Sequence, residues 1–426
     1  MDNPGRNAAV GAAGHKERIE SKVDATLNER LTRMGQELSA TFSTLIDAMP
    51  GGPHRASDLS RKLRVNKDAS SRLLRAIRQP DPVAVTYMIP GPDPLRRILT
   101  ALDKLKVDSA AIQKARTAVQ NFEDIIASEA GDRGALDAII SAWLPEAREK
   151  RELAAKQTAF RGMTLIKGMS CDLSLNVALL VPSPRKKFYA DFVALMGVKG
   201  LRRFNDSARL QMASWTCQVE QPLTRRQIDG SPAQSANELR LKDYCSAHGT
   251  EFEQHELENT ILYTVAPPDV GISAACDIVM AELQQDAMMV VRPDSSQGEG
   301  HAFISNEITT PARVSILDVL LPDEIFADVE PTVQVFDAGF RGFVDVNDPL
   351  RQFDRYRTNE QVHDCGRGVA GLRLAESSRY VEMLEYACST VGVAPNSLRA
   401  YRVRVEYPIY GSQICMIFPR KPAPAD

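Results

Sequence analysis

The side chains with the clearest chemistry lie between Arg55 and Arg78. Asn66, Lys67, Ser70, Ser71, Arg72, Arg75 and Arg78 occupy the polar side of a segment whose apolar residues, Ala69, Leu73, Leu74 and Ile77, recur at helical spacing. Amide, hydroxyl, ammonium and guanidinium groups are mainly hydrogen-bond donors, suited to phosphate oxygens and guanine edges. Lys67 and Ser71 sit toward the N-terminal end of that helix, the end that normally meets bases. Lys67, Ser71 and Arg72 are therefore the candidates for base contact, and Arg55, Lys62, Arg75 and Arg78 for phosphate contact. Ser57, Asn66 and Ser70 complete the expected DNA-binding surface. Between Gly51 and Gln79 eight Lys or Arg stand against Asp58 and Asp68 alone, in a chain whose net charge is −3. Such a basic island is the footprint of a polyanion bound at one place.

Other reactive residues form weaker patterns. His248 and His255 lie among Glu251, Glu253, Glu256 and Glu258, but seven residues apart they do not make an H-E-x-x-H pair. A solvated helix start without a metal is the expectation. His363, Asp364 and Cys365 put a thiol near an imidazole, although sequence neighbours cannot easily face each other as nucleophile and base. Gly366 and Gly368 read more simply as a loop. Arg402, Arg404, Tyr407 and Tyr410 follow an alternating pattern expected of a half-exposed strand with cross-strand ion pairs. The alternative there is a pocket for an anionic or aromatic ligand. No Walker A, strand-to-helix G-x-G-x-x-G or G-x-S-x-G is present, which favours binding or sensing over catalysis. No cofactor is implied.

The elements that must position the basic residues can be read from spacing. Apolar residues from Val23 to Met49 predict a long helix over about Ile19–Met49, stopped by Pro50. Leu59 and Leu63 share a face of a second helix with Ser57 as its expected N-cap, and Asn66 caps the next. After Pro80 and Pro82, alternation of Val83, Val85, Tyr87 and Ile89 predicts a strand. Pro94 then begins a helix ending near Leu105.

LSRKLRVNKDASSRLLRAI, Leu59 to Ile77, resembles the winged helix-turn-helix of bacterial transcriptional regulators of the MarR and IclR kind. The close likeness covers about 20 residues and the looser one about 80. Arg64 stands where that pattern has a turn glycine, and Ser70 where it has an inward apolar residue. The resemblance implies sequence-specific binding of double-stranded DNA by a homodimer.

The remainder is read more coarsely. Residues 1–17 form a Gly-, Ala- and Asn-rich tail expected to be disordered. Residues 18–106 would be the winged helix-turn-helix domain, 107–160 a helical connector that dimerises, and 161–426 a mixed α/β sensing body of one or two subdomains. The expected fold class is α+β. β-like runs include Leu173–Val181, Val314–Leu321, Tyr401–Tyr407 and Gln413–Phe418, with helical patterns at Ile272–Gln284 and Ser377–Thr390. Seven scattered cysteines without a C-x-x-C suit reduced thiols, and no apolar run of about 18 residues occurs. A cytoplasmic DNA-binding regulator with a small-molecule effector is the leading expectation. Its competitors are an enzyme of methyltransferase-like layout, for which no methyl-donor glycine motif is found, and an interaction scaffold docking on an acidic partner.

Overall fold

Helices in the first third of the chain arise where apolar spacing coincides with local caps. In a computed structural model, residues 26–52, 54–216, 225–247, 251–257, 260–265, 269–291 and 300–421 are described. The chain is α+β and divides into two compact units, one ending at Arg148 and the other beginning at Glu149. Helix α1 (Leu27–Asp47) starts in a capping box, in which Thr26 accepts from the Glu29 N–H at 3.3 Å and donates its own N–H to the Glu29 carboxylate at 2.8 Å. The part of the expected first helix before Thr26 lies outside the described residues, as does the N-terminal tail.

Helices α2 (Ala56–Leu63) and α3 (Lys67–Ala76) are separated by Arg64, Val65 and Asn66. Asn66 caps α3 as expected, accepting from the Asp68 N–H at 2.7 Å. Ser57 is not the cap of α2: the N-cap is Arg55, two residues earlier, and Ser57 sits in the first turn.

The expected strand over Val83–Ile89 is instead helix α4 (Pro82–Met88), so there is no wing; among the described residues no strand precedes Met169. Local and distant caps override the β-like alternation. Asp81 accepts from the Val83 N–H at 2.9 Å and Pro82 pre-sets the first turn. At the other end, Arg133 donates to the carbonyls of Thr86, Tyr87 and Ile89, and Arg72 to those of Met88 and Ile89. Gly35 lets α4 lie directly on α1, since a Cβ there would fall 1.8 Å from the Pro82 carbonyl oxygen.

Helices α5 (Pro92–Lys104), α6 (Ser109–Glu129) and α7 (Arg133–Ser141) close the unit. Leu99, Phe122 and Leu136 share one core with Leu38, Leu59 and Leu73. Residues expected to form a separate connector therefore belong to the N-terminal core as far as Ile140. Helix α8 (Pro145–Lys167) follows and runs across the division between the units.

The second unit is built on a long antiparallel pair, β1 (Met169–Pro182) and β2 (Tyr189–Arg203), extended by β6 (Cys276–Met289). Ile272–Gln284, expected as a helix, supplies most of β6. Its Ala, Met, Glu, Leu and Gln favour helix, but pairing along β2 wins. Strands β3 (Leu210–Thr216), β4 (Phe252–Leu257) and β5 (Thr260–Val265) make a small sheet. Strand β8 (Ala312–Leu321) pairs parallel with β1, and β11 (Val362–Arg367) with β12 (Arg399–Glu406) completes a six-stranded sheet ordered β11-β12-β8-β1-β2-β6. Helix α9 (Tyr380–Thr390) covers one face, burying Met383 and Leu384 against Leu175, Val177 and Ile316. The other face meets a four-stranded sheet of β7 (His301–Glu307), β9 (Thr332–Asp337), β10 (Arg355–Tyr356) and β13 (Ser412–Pro419), ordered β10-β9-β13-β7. Ile414, Met416 and Phe418 pack there against Leu317 and Val403. Among the described residues no helix is long and apolar enough to cross a membrane.

Candidate nucleic-acid interface

Helix α3 buries Ser70, Leu73, Leu74 and Ala76 and turns the opposite side outward. Lys67, Ser71 and Arg75 follow one another at spacings of four, which align them along the helix, and the exposed Arg78 stands in the turn just past its end. Lys67 and Arg75 are exposed, and Ser71 is half-buried. The stripe presents ammonium, hydroxyl and guanidinium groups and no carboxylate.

Two members of the expected contact set are elsewhere. Ser70 is 0 % exposed, its hydroxyl donating to the Asn66 carbonyl at 3.2 Å, so it occupies the inward position that the resemblance gives to an apolar residue. Arg72 is turned toward α4, with its guanidinium on the Met88 and Ile89 carbonyls at 3.3 Å each. It anchors α3 and is not free for a base edge. Arg55 is exposed at the start of α2, whereas Lys62 donates to the Pro50 carbonyl at 2.9 Å.

Beside the stripe the α2–α3 turn and α5 enclose an open cleft of about 920 Å³. Lys62, Arg64, Arg72, Arg96, Arg97 and Lys104 line it against the single acid Asp68. Arg96 is held by Glu123 and by Asp93, the latter at 3.2 Å, whereas Arg97 and Lys104 are exposed. Seven apart on α5, these two share a face with Thr100. Sequence reasoning missed both, although that spacing and the Arg96–Arg97 pair were signals for them. Arg64 takes φ 54° and ψ 40°, the left-handed conformation that the resemblance assigns to glycine at this turn. The long cation that strains the backbone also reaches the cleft.

Arg402 and Arg404 lie on strand β12 with ion-pair partners, as the alternating pattern predicts, and are not gathered with Tyr407 and Tyr410 into the alternative ligand site. Arg402 grips the fully buried Asp318 through two hydrogen bonds, 2.8 and 2.6 Å, and also donates to the Leu372 and Arg373 carbonyls. Tyr380 donates its hydroxyl to the same carboxylate at 2.7 Å. Burial pushes Asp318 above the usual carboxylate range while Arg402 and Tyr380 draw it back. Arg404 pairs with Glu376 at 2.7 Å, the Tyr407 ring packs edge-on against Phe160, and Lys167 covers the Tyr410 ring. These groups satisfy one another within the fold.

His255, expected in a helix, lies in strand β4 with its ring nitrogen 2.9 Å from the Thr264 hydroxyl, and His248 lies outside the described residues. Among the described residues no group of three or more His, Cys, Asp or Glu is placed to hold a metal. His363 and Cys365 belong to strand β11, not a loop, and burial raises the Cys365 thiol above its ordinary pKa, the wrong direction for a nucleophile. Gly366, Gly368 and Gly371 follow the start of this strand but lead into the short 3-10 turn Ala370–Leu372, so no α-helix N-terminus is aimed at a phosphate. Compared with protein-family models, curated proteins and solved structures, the chain matches none.

Proposed function

We propose that the helical unit binds duplex DNA with α3 in the major groove, and that the protein is a cytoplasmic, dimeric transcriptional regulator. The observation that carries this reading is the outward stripe Lys67–Ser71–Arg75–Arg78, a row of donors with no acid. In it Lys67 and Ser71 approach base edges from the helix N-terminus, and Arg75 and Arg78 follow toward the backbone. Arg64, Arg97 and Lys104, on the cleft side, neutralise a neighbouring stretch of phosphates. The reading includes a homodimer because one recognition helix carries limited specificity and paired half-sites multiply it. Among the described residues six cysteines, Cys171, Cys245, Cys276, Cys365, Cys388 and Cys415, are free thiols, which suits a reducing compartment.

The test is salt-dependent retardation of duplex DNA by the full chain and by a Lys67→Ala/Arg75→Ala/Arg78→Ala variant. Each phosphate contact contributes ~0.9 to the slope of log affinity against log salt, so losing two or three contacts should flatten it by about 2 to 3. An unchanged slope and affinity in a folded variant would remove α3 from the interface. Binding to an acidic protein with no retardation of DNA at low salt would overturn the reading in favour of a scaffold.

A further inference from the structure

The four-stranded sheet ends at β7, whose residues Phe303 to Glu307 line a cavity together with residues of β2 and β6. The strand register puts Asn176 opposite Met196 and Phe192 opposite Gln284, so these four side chains come from adjoining rows of one sheet. The cavity they enclose with the edge strand β7 measures about 740 Å³. Asn176 bridges the sheets at its margin, donating to the Ser305 carbonyl at 2.9 Å.

The chemistry of the walls is uneven. Phe192, Met196, Met212, Met288 and Phe303 supply flat or polarizable apolar surface, and Phe343 stands 59 % exposed beside Phe303 with ring centroids 6.0 Å apart. Among these apolar surfaces stand the uncharged amide residues Asn176, Gln211, Gln284 and Asn306. A side-chain amide offers a donor and an acceptor side by side, which a planar ligand with a complementary edge can pair. Among the described residues no Lys or Arg lines the cavity, and the one ionisable side chain there is the acid Glu307. Anionic ligands are therefore disfavoured.

We propose that this cavity binds a neutral, planar heteroaromatic molecule carrying an amide-like donor and acceptor, the chemistry of a nucleobase or nucleoside. Aromatic and thioether walls stack on the ring faces, while the Gln211 and Gln284 amides read its polar edge. The volume falls within the ordinary range for small-molecule sites and exceeds what a bare base fills, leaving room for an uncharged substituent. The site differs from the basic cleft in both sign of charge and apolarity.

The test is calorimetric titration of the full chain with adenosine, guanosine, cytidine and uridine, with their 5′-monophosphates, and with decanoate. At least one nucleoside should bind saturably and more tightly than its monophosphate. Ala287→Trp, placed at an exposed position lining the cavity, should abolish that binding. Gln284→Met should weaken it roughly three- to tenfold, the worth of one hydrogen bond. The proposal is overturned if no nucleoside binds at about 1 mM, where even weak small-molecule sites begin to fill. It is equally overturned if decanoate or a monophosphate binds as tightly, or if Ala287→Trp leaves nucleoside binding intact.

Discussion

Glu282 on β6 is 1 % exposed and meets Arg225 at 3.2 Å, yet burial, only partly opposed by that guanidinium, raises its pKa from an ordinary 4.5 to about 7. A folded-state pKa above the unfolded value means that the folded chain binds a proton more readily. The corresponding stability is fully present below pH 4.5 and is lost as pH rises through about 7. At ~1.4 kcal/mol per pKa unit, the displacement is worth about 3 kcal/mol across that window. Glu282→Gln keeps the shape and an acceptor for Arg225 but cannot titrate. The two tryptophans, Trp143 and Trp215, fall one in each unit, so a Trp143→Phe background leaves Trp215 to report on the second unit alone. Urea unfolding followed by that fluorescence at pH 5, 6, 7 and 8 gives the stability difference between the parent chain and the Glu282→Gln variant. The difference should shift by about 3 kcal/mol in favour of the variant from the acid to the alkaline end, other titrations cancelling. A difference that stays flat would show that the Arg225 guanidinium holds Glu282 ionised in the folded state throughout, and would refute the argument from burial.

Two further outcomes follow from features of the two units. Arg64→Gly relieves a left-handed non-glycine residue and should stabilise the helical unit by about 0.5–1 kcal/mol in unfolding followed by Trp143, while weakening DNA retardation; a loss of stability would contradict the strain argument. Asp318→Ala strands the Arg402 guanidinium, itself 11 % exposed, and should cost the second unit about 3–5 kcal/mol by urea unfolding. Adding Arg402→Met should recover much of that cost, and no recovery would mean that the pair is not the source of the loss.

What the sequence made legible is what short-range physics determines. Asn66 caps α3 through a neighbour two residues away, and the apolar spacing of α1 matches the face it buries, as that of α3 does at Leu73 and Leu74. Strands β8, β12 and β13 announce themselves through β-branched residues and alternation. The errors lie where distant partners decide. Helix α4 owes its C-terminal caps partly to Arg133, 44 to 47 residues onward in the chain. Strand β2 escapes a sequence reading and β6 reads as a helix because each takes its conformation from its neighbours in the sheet. Within the interface, the basic island is visible as composition, but the burial of Ser70 and the inward turn of Arg72 depend on how α3 is rotated against α1 and α4. Arg402 likewise looks available until Asp318, 84 residues earlier, is seen to face it.

The arginine clamp on α4 has a mechanical meaning. Arg72 rises from α3 and Arg133 from α7, and both end on the same short run of carbonyls between Thr86 and Ile89. Apolar contacts let packed helices roll by a fraction of a turn at small cost, but directional bonds to fixed oxygens resist rotation about the axis. Burial and the nearby Arg72 charge both lower the pKa of Arg133, which Asp137 counters from 3.0 Å, so the clamp is a crowded electrostatic joint. The azimuth of the α3 stripe is therefore indexed to α7, the last helix wholly within the unit. A roll of α7, which also carries Leu136 and Ile140 into the shared core, would reach the basic stripe as a tiller reaches a rudder, through the clamp and the packing together.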